Sequence, residues 1–221
     1  MNLPTKITLI RILMVPIIII LFCLKEVFGQ YYIPMTLLFI LTSTTDAIDG
    51  HLARKNNMVT DLGKFLDPIA DKILVLTGLI ILLGMTFKTN NGVVYPVLPP
   101  YAGPIGVIII LTREFIIGVL RQMAATKGSV LAADNLGKAK TVITLIAIPM
   151  LMFVPFINEA NIVIHWIGVV FLFGGWTLFG LAVILTVLSG VNYIIKNKHV
   201  FLDTVKSDKE KSLANEDKDK E

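Results

Sequence analysis

Long apolar stretches separated by short polar connections run from the N-terminus to about residue 196, where the pattern stops. Crossing a hydrocarbon layer takes about 20 helical residues. Six stretches approach or exceed that length: Ile7–Leu24, Ile33–Arg54, Pro68–Phe87, Pro104–Thr126, Lys138–Phe156 and Ile162–Ile195. They lack the strict alternation and regular turns of a membrane barrel, so helices are predicted. The sixth, at 34 residues, would reach about 51 Å at 1.5 Å per residue, so part of it should protrude or bend, with Gly174-Gly175 or Gly190 marking the place. Lys6 and Arg11 ahead of the first run give it a superficial likeness to a signal peptide. No small-x-small site precedes Lys25 and further spans follow, which predicts an uncleaved first helix. Met1–Arg11 is expected to lie along the interface before the chain turns inward. The expected fold class is therefore all-α: a polytopic integral membrane protein of six transmembrane helices with an N-terminal interfacial segment. The proline-rich connection from Lys88 to Gly103 reads as a simple external loop.

Composition agrees with that pattern. Of 221 residues, 55% are hydrophobic and 16% charged, against about 25% charged in soluble domains. A soluble enzyme, a disordered chain and a nucleic-acid binder are excluded on that ground. The lone Cys23 lies inside an apolar run, can form no internal disulfide, and is expected to fill core space.

Charge gives the orientation. With the N-terminus in the cytoplasm, one face collects Lys6, Arg11, Arg54, Lys55, Lys64, Lys127, Lys196 and Lys198, while the other collects Lys25 and Lys88. The excess of basic residues marks the cytoplasmic side, so both termini are expected there. Residues 203–221 hold five lysines and seven acids, a net −2, so the rest of the chain carries +6 and the whole +4. Their mixed signs predict a solvated, disordered cytoplasmic tail rather than a nucleic-acid arm, with the membrane domain covering residues 1–202.

The feature most at odds with a membrane helix is acidic. The second stretch approaches the cytoplasm carrying Asp46-Ala-Ile-Asp49-Gly50, and the third leaves it carrying Asp67-Pro68-Ile-Ala-Asp71. Spacings of three and four put each pair on one helical face, and Asp67-Pro68 reads as an N-cap followed by a first-turn proline. A single acid at a helix end is often only a cap. Four, each costing about 2.5–3.5 kcal/mol at membrane depth and less near the interface, need compensation. Two divalent cations would supply it, and an all-oxygen donor set without His or Cys favours Mg²⁺ or Mn²⁺. Gly50 and Ala53 leave one turn bare, Arg54 can fork onto a phosphate, and Gly63 permits another close approach. Small residues alone would indicate tight helix packing; beside Arg54 and four acids they suit a phosphorylated ligand.

The arrangement Asp46-x-x-Asp49-Gly50-x-x-Ala53-Arg54, eight residues, then Gly63-x-x-x-Asp67-x-x-x-Asp71 resembles the full signature of the CDP-alcohol phosphatidyltransferases, with every defined position present. The resemblance spans roughly Pro4 to Ile195. It implies that Asp46, Asp49, Asp67 and Asp71 hold two divalent cations at the diphosphate of a CDP-linked lipid, and that Asp71 is the catalytic general base. It further implies that Asp49, Gly50, Ala53, Arg54, Thr60 and Gly63 contact the nucleotide donor, and that the protein is a homodimer.

The acceptor alcohol must be read outside this signature. Arg113-Glu114 lies near the middle of the fourth stretch and Arg121 towards its cytoplasmic end; eight residues apart, the two arginines differ by about 80° and can line one side of a cavity. Glu114 points about 100° away from Arg113 and is not an obvious partner for it. Gly137-Lys138-Ala139-Lys140-Thr141 opens the fifth stretch at the same face. Lys138 and Lys140 could be simple positive-inside anchors, but mid-helix Arg113 could not. Such a cationic set suits an acceptor carrying its own phosphate, held by Arg113, Arg121, Lys138 and Lys140. Choline would want aromatic or acidic company instead, while serine is not excluded by charge. The stretches Pro4-Thr-Lys-Ile-Thr8-x-x-Arg11, Arg113-Glu-Phe-x-x-x-x-Leu-Arg121 and Gly-Lys-Ala-Lys-Thr141 resemble the bacterial branch of the family that uses sn-glycerol 3-phosphate, with Thr5 where asparagine is common. The implied partners are CDP-diacylglycerol, sn-glycerol 3-phosphate and membrane lipid, with chemistry at the cytoplasmic face of the cell membrane. Inositol phosphate is the alternative acceptor. A cation transporter or channel is the alternative of another class, but it would not need Gly50-x-x-Ala53-Arg54 or acids gathered at one face.

Overall fold

The computed structural model describes residues 3–24, 31–55, 61–89, 92–126, 135–159 and 165–196. Seven helices and one small hairpin follow in order: α1 (Leu3–Cys23), α2 (Tyr32–Lys55), α3 (Asp61–Gly84), β1 (Thr86–Lys88), β2 (Val94–Pro96), α4 (Ala102–Thr126), α5 (Asn135–Met152), α6 (Val154–Glu159) and α7 (His165–Lys196). Residues 197–221, and with them the predicted tail, lie outside the described residues.

The bundle is apolar on the outside. Leu13, Ile108, Val170 and Ile195 are each more than 60% exposed, while Thr36, Thr42, Thr144, Thr186 and Ser189 are buried. Water-soluble proteins seldom expose large contiguous apolar patches, so the distribution fits a hydrocarbon solvent. Buried hydroxyls are bonded within their own helices: Thr42 donates to the Leu38 carbonyl at 2.6 Å, Thr144 to Lys140 at 2.8 Å and Thr186 to Ala182 at 2.6 Å. This back-bonding removes the cost of an unpaired hydroxyl in a dry interior. Three helical stretches are long and apolar enough to cross a membrane, Ala102–Arg121, Leu136–Ile157 and Trp166–Lys196. Shorter apolar stretches cover Thr8–Cys23, Tyr32–Thr45 and Lys72–Gly84.

Several expectations are corrected. The connection after α3 is not a simple loop: β1 pairs antiparallel with β2, Phe87 opposite Tyr95, and Gly92 takes the left-handed conformation (φ 76°) that a side chain disfavours. The all-α class thus gains a two-stranded sheet. Val97 and Leu98 behind the hairpin are buried, and the Trp176 indole N–H donates to the Val97 carbonyl at 2.7 Å. α1 runs unbroken from Leu3 to Cys23, with Arg11 buried. Cys23, the last residue of α1, is exposed rather than a core filler. α3 begins at Asp61, which places Asp67-Pro68 inside the helix and not at its cap. The fifth stretch divides at Phe153 into α5 and α6.

α7 neither ends nor restarts at its glycines. They receive neighbouring helices instead: a Cβ at Gly175 would strike Leu151 of α5. α5 and α7 form the most extensive helix contact, and α4 also packs on α7. At Gly106 of α4 a Cβ would lie 2.8 Å from Phe179 and 2.9 Å from Val183. Close backbone approach of this kind holds membrane helices together where the hydrophobic effect between them is weak.

Candidate active site

Consecutive long helices alternate in direction, so the C-terminal ends of α2, α4 and α7 lie with the N-terminal ends of α3 and α5. α4 and α7 run parallel: Gly106 meets Phe179, and further along Arg113 meets Ser189. The hairpin, tied to Trp176 of α7, closes the opposite end.

Both halves of the acidic signature fall at the first of these ends. Asp46, Asp49, Gly50, Ala53 and Arg54 occupy the last turns of α2, and Gly63, Asp67 and Asp71 the first turns of α3. These two helices pack together. The side chains of these residues, and Thr60 altogether, lie outside the described residues. Immediately before Asp46, Thr42, Ser43, Thr44 and Thr45 each donate a hydroxyl to a carbonyl one turn back, at 2.6–3.0 Å. Among the described residues, no three His, Cys, Asp or Glu side chains gather at one point.

The cationic half is described in atomic detail. Arg113 of α4 donates from Nη1 to Glu114 Oε1 at 3.1 Å and from Nη2 to Ser189 Oγ of α7 at 2.9 Å. Lys140 of α5, 4% exposed, is ion-paired to the same Glu114 oxygen. One carboxylate therefore ties a half-buried arginine and a buried lysine from different helices. The expectation that Glu114 would not partner Arg113 is wrong: although adjacent Cα–Cβ vectors diverge, two long side chains can meet at their tips. Charge and burial explain the contact, because an isolated guanidinium or ammonium in a dry interior would be far costlier than a paired one. Gly190 makes room on α7, since a Cβ there would lie 3.3 Å from Arg113 Cγ.

Of the four predicted acceptor residues, Arg113 and Lys140 are thus brought together through Glu114. Arg121 is exposed, its guanidinium 5.4 Å from the centroid of the Tyr193 ring, a cation–π separation. Arg121 and Arg113 both face α7, as their angular offset predicts. Lys138 is exposed at the start of α5. Glu114, Ser189 and Tyr193 were not among the predicted residues. Glu114 carried a visible signal, an acid in mid-span, whereas Ser189 and Tyr193 become legible only once α4 is paired with α7. Beside the cluster lies a cavity of about 40 Å³, bounded by Lys72, Glu114, Phe115, Lys140, Thr141 and Thr144 among others.

Comparison with known proteins agrees with this geometry. The sequence profile of the family described as CDP-alcohol phosphatidyltransferase matches residues 1–174. A Bacillus subtilis protein named CDP-diacylglycerol–glycerol-3-phosphate 3-phosphatidyltransferase is 39% identical over 206 residues, 89% of this chain and 95% of that protein. Proteins of the same name from Rickettsia typhi and Shigella flexneri are 34% and 31% identical, covering 90% and 91% of this chain and 99% and 98% of theirs. With the signature complete, its two halves on packed helices and the profile covering most of the sequence, the chain belongs to the CDP-alcohol phosphatidyltransferase family.

Proposed function

We propose that this protein transfers the phosphatidyl group of CDP-diacylglycerol to sn-glycerol 3-phosphate, giving phosphatidylglycerol phosphate and CMP in phospholipid biosynthesis. The observation that carries the acceptor assignment is the partly buried Arg113–Glu114–Lys140 cluster at the junction of α4, α5 and α7. It lies on the helices facing the aspartate motif's end of the bundle and is cationic even after Glu114 is counted. The relatives' shared name supports the same acceptor.

Asp46, Asp49, Asp67 and Asp71 form an all-oxygen donor set on two packed helices, which suits two hard divalent cations, Mg²⁺ or Mn²⁺. When bound, such ions neutralise diphosphate charge and stabilise the departing nucleotide phosphate. Gly50, Ala53 and Gly63 let the donor approach the backbone, with Asp49, Arg54 and Thr60 completing its contacts. Asp71 takes the proton from the C1 hydroxyl of glycerol 3-phosphate as that oxygen bonds to the phosphorus bearing diacylglycerol. The bond from that phosphorus to the CMP oxygen breaks, and CMP leaves with the electron pair. Arg113, Lys140, Arg121 and Lys138 hold the acceptor phosphate and orient the hydroxyl. Positioning of this kind contributes about 7–11 kcal/mol in favourable cases.

The catalytic unit is the membrane domain, residues 1–202, spanning the plasma membrane six times through α1, α2, α3, α4, α5 and α7. Both termini and the site face the cytoplasm, residues 203–221 form a charged tail, and the working form is a homodimer. Lipid donor then reaches the site from the bilayer, while glycerol 3-phosphate and CMP exchange with the cytoplasm. Purified protein given CDP-diacylglycerol, Mg²⁺ and an equimolar panel of glycerol 3-phosphate, inositol phosphate, serine and glycerol should make phosphatidylglycerol phosphate as its dominant lipid product. A dominant product built on any other alcohol would contradict the assignment.

A further inference from the structure

Lys72 follows Asp71 on α3, and the reaction as described makes no use of it. Its side chain crosses from α3 to α4, where the ammonium rests on the bare backbone of Gly118: a Cβ added at Gly118 would collide with Lys72 Nζ and lie 3.5 Å from Cε. The same side chain borders the cavity of about 40 Å³ together with Glu114 and Lys140. An acceptor phosphate arriving beside this cavity would meet the Glu114–Lys140 pair.

Formal charges explain what it would gain. Lys72, Arg113 and Lys140 supply three positive charges and Glu114 one negative, a net +2. A phosphate monoester carries about −1.5 to −2 near neutral pH. Lys72 adds one positive charge to a set that Glu114 partly neutralises, beside a cavity it shares with Lys140.

We propose that Lys72 is a further acceptor-binding residue, a cation on the phosphate of the acceptor in addition to Arg113, Lys140, Arg121 and Lys138, and that Gly118 is glycine because the ammonium is seated there. The inference rests on the reading that the acceptor is phosphorylated. It also links the two halves of the site: one turn of α3 carries the base at Asp71 and, one residue on, a cation that fixes the acceptor's far end.

The test uses the full-length purified protein and the variants Lys72→Met, Lys72→Arg and Gly118→Ala. Steady-state constants are measured for both substrates, together with inhibition by inorganic phosphate. Losing one charge-assisted hydrogen bond to the phosphate should raise the KM for glycerol 3-phosphate about tenfold or more in Lys72→Met and weaken phosphate inhibition by a similar factor. The KM for CDP-diacylglycerol should stay within about twofold, Lys72→Arg should recover most of the loss, and Gly118→Ala should move the acceptor KM in the same direction as Lys72→Met. An equal rise in both KM values, a fall in kcat with the acceptor KM unchanged, or no change at all would overturn the inference. If wild-type protein makes phosphatidylglycerol phosphate while Lys72→Met leaves the acceptor KM unaltered, only the role of Lys72 fails. If wild type makes none from glycerol 3-phosphate, the acceptor reading itself fails.

Discussion

At the scale of single residues, the proposed chemistry divides between acids on α2 and α3 and cations on α4 and α5. Asp71→Asn keeps the size of the side chain and removes its basicity. CMP release should fall at least about a hundredfold, the lower end of the contribution of a positioned general base, while gel-filtration behaviour and helical content stay as in wild type. Turnover close to wild type would remove Asp71 as the base. Arg113→Ala leaves Glu114 on Lys140 and takes away the half-buried guanidinium proposed to hold the acceptor phosphate. The KM for glycerol 3-phosphate should rise about tenfold or more and that for CDP-diacylglycerol little; parallel rises would place Arg113 elsewhere in the mechanism. The acids were legible in the sequence because charge at membrane depth stands out against an apolar background. The role of Glu114 was not, since treating side chains as spokes at 100° ignores how far arginine and glutamate reach. Its bond to Lys140 also depends on α5 lying beside α4, which no local spacing encodes.

At the scale of elements, apolar run length located the long helices, and the errors lie where local signals competed. Asp67-Pro68 has the chemistry of a helix start, yet α3 begins at Asp61. Proline's missing N–H removes one intrahelical bond, and the helix continues across it because α3 is held by packing on α1, α4 and α5. The hairpin was missed because three-residue strands are too short to show alternation. Gly174-Gly175 suggested a bend on length alone, but those glycines admit Met150 and Leu151. Gly78 offers the sharpest test of such packing. A Cβ there would lie 2.7 Å from Phe39 and 2.9 Å from Ile148, so α2, α3 and α5 meet at one bare point. Gly78→Leu should destabilise the solubilised protein by about 1–3 kcal/mol or more, seen as a lower melting temperature. An unchanged melting temperature would show that the three helices do not meet closely there.

At the scale of the molecule, the bundle is polarised: acids, cations and the α4–α5–α7 junction gather at one end, and the hairpin closes the other. Sequence alone placed the acids at one end, because the two halves of the signature fall at the end of α2 and the start of α3 across a short connection. The orientation can be checked in intact cells in a Cys23→Ser background. Lys88→Cys, exposed on β1, should react with a membrane-impermeant maleimide from outside, and Lys138→Cys only after permeabilisation. The reverse pattern would invert the topology. The most direct test of the central claim, that two acidic pairs on adjoining helices jointly hold the reacting cations against the lipid donor's diphosphate, is a Mn²⁺ titration of purified protein with CDP-diacylglycerol present. The account predicts about two ions per chain, with both Asp46→Asn and Asp67→Asn reducing occupancy and CMP release together. Unchanged Mn²⁺ binding in both variants, or full turnover after chelation, would contradict it.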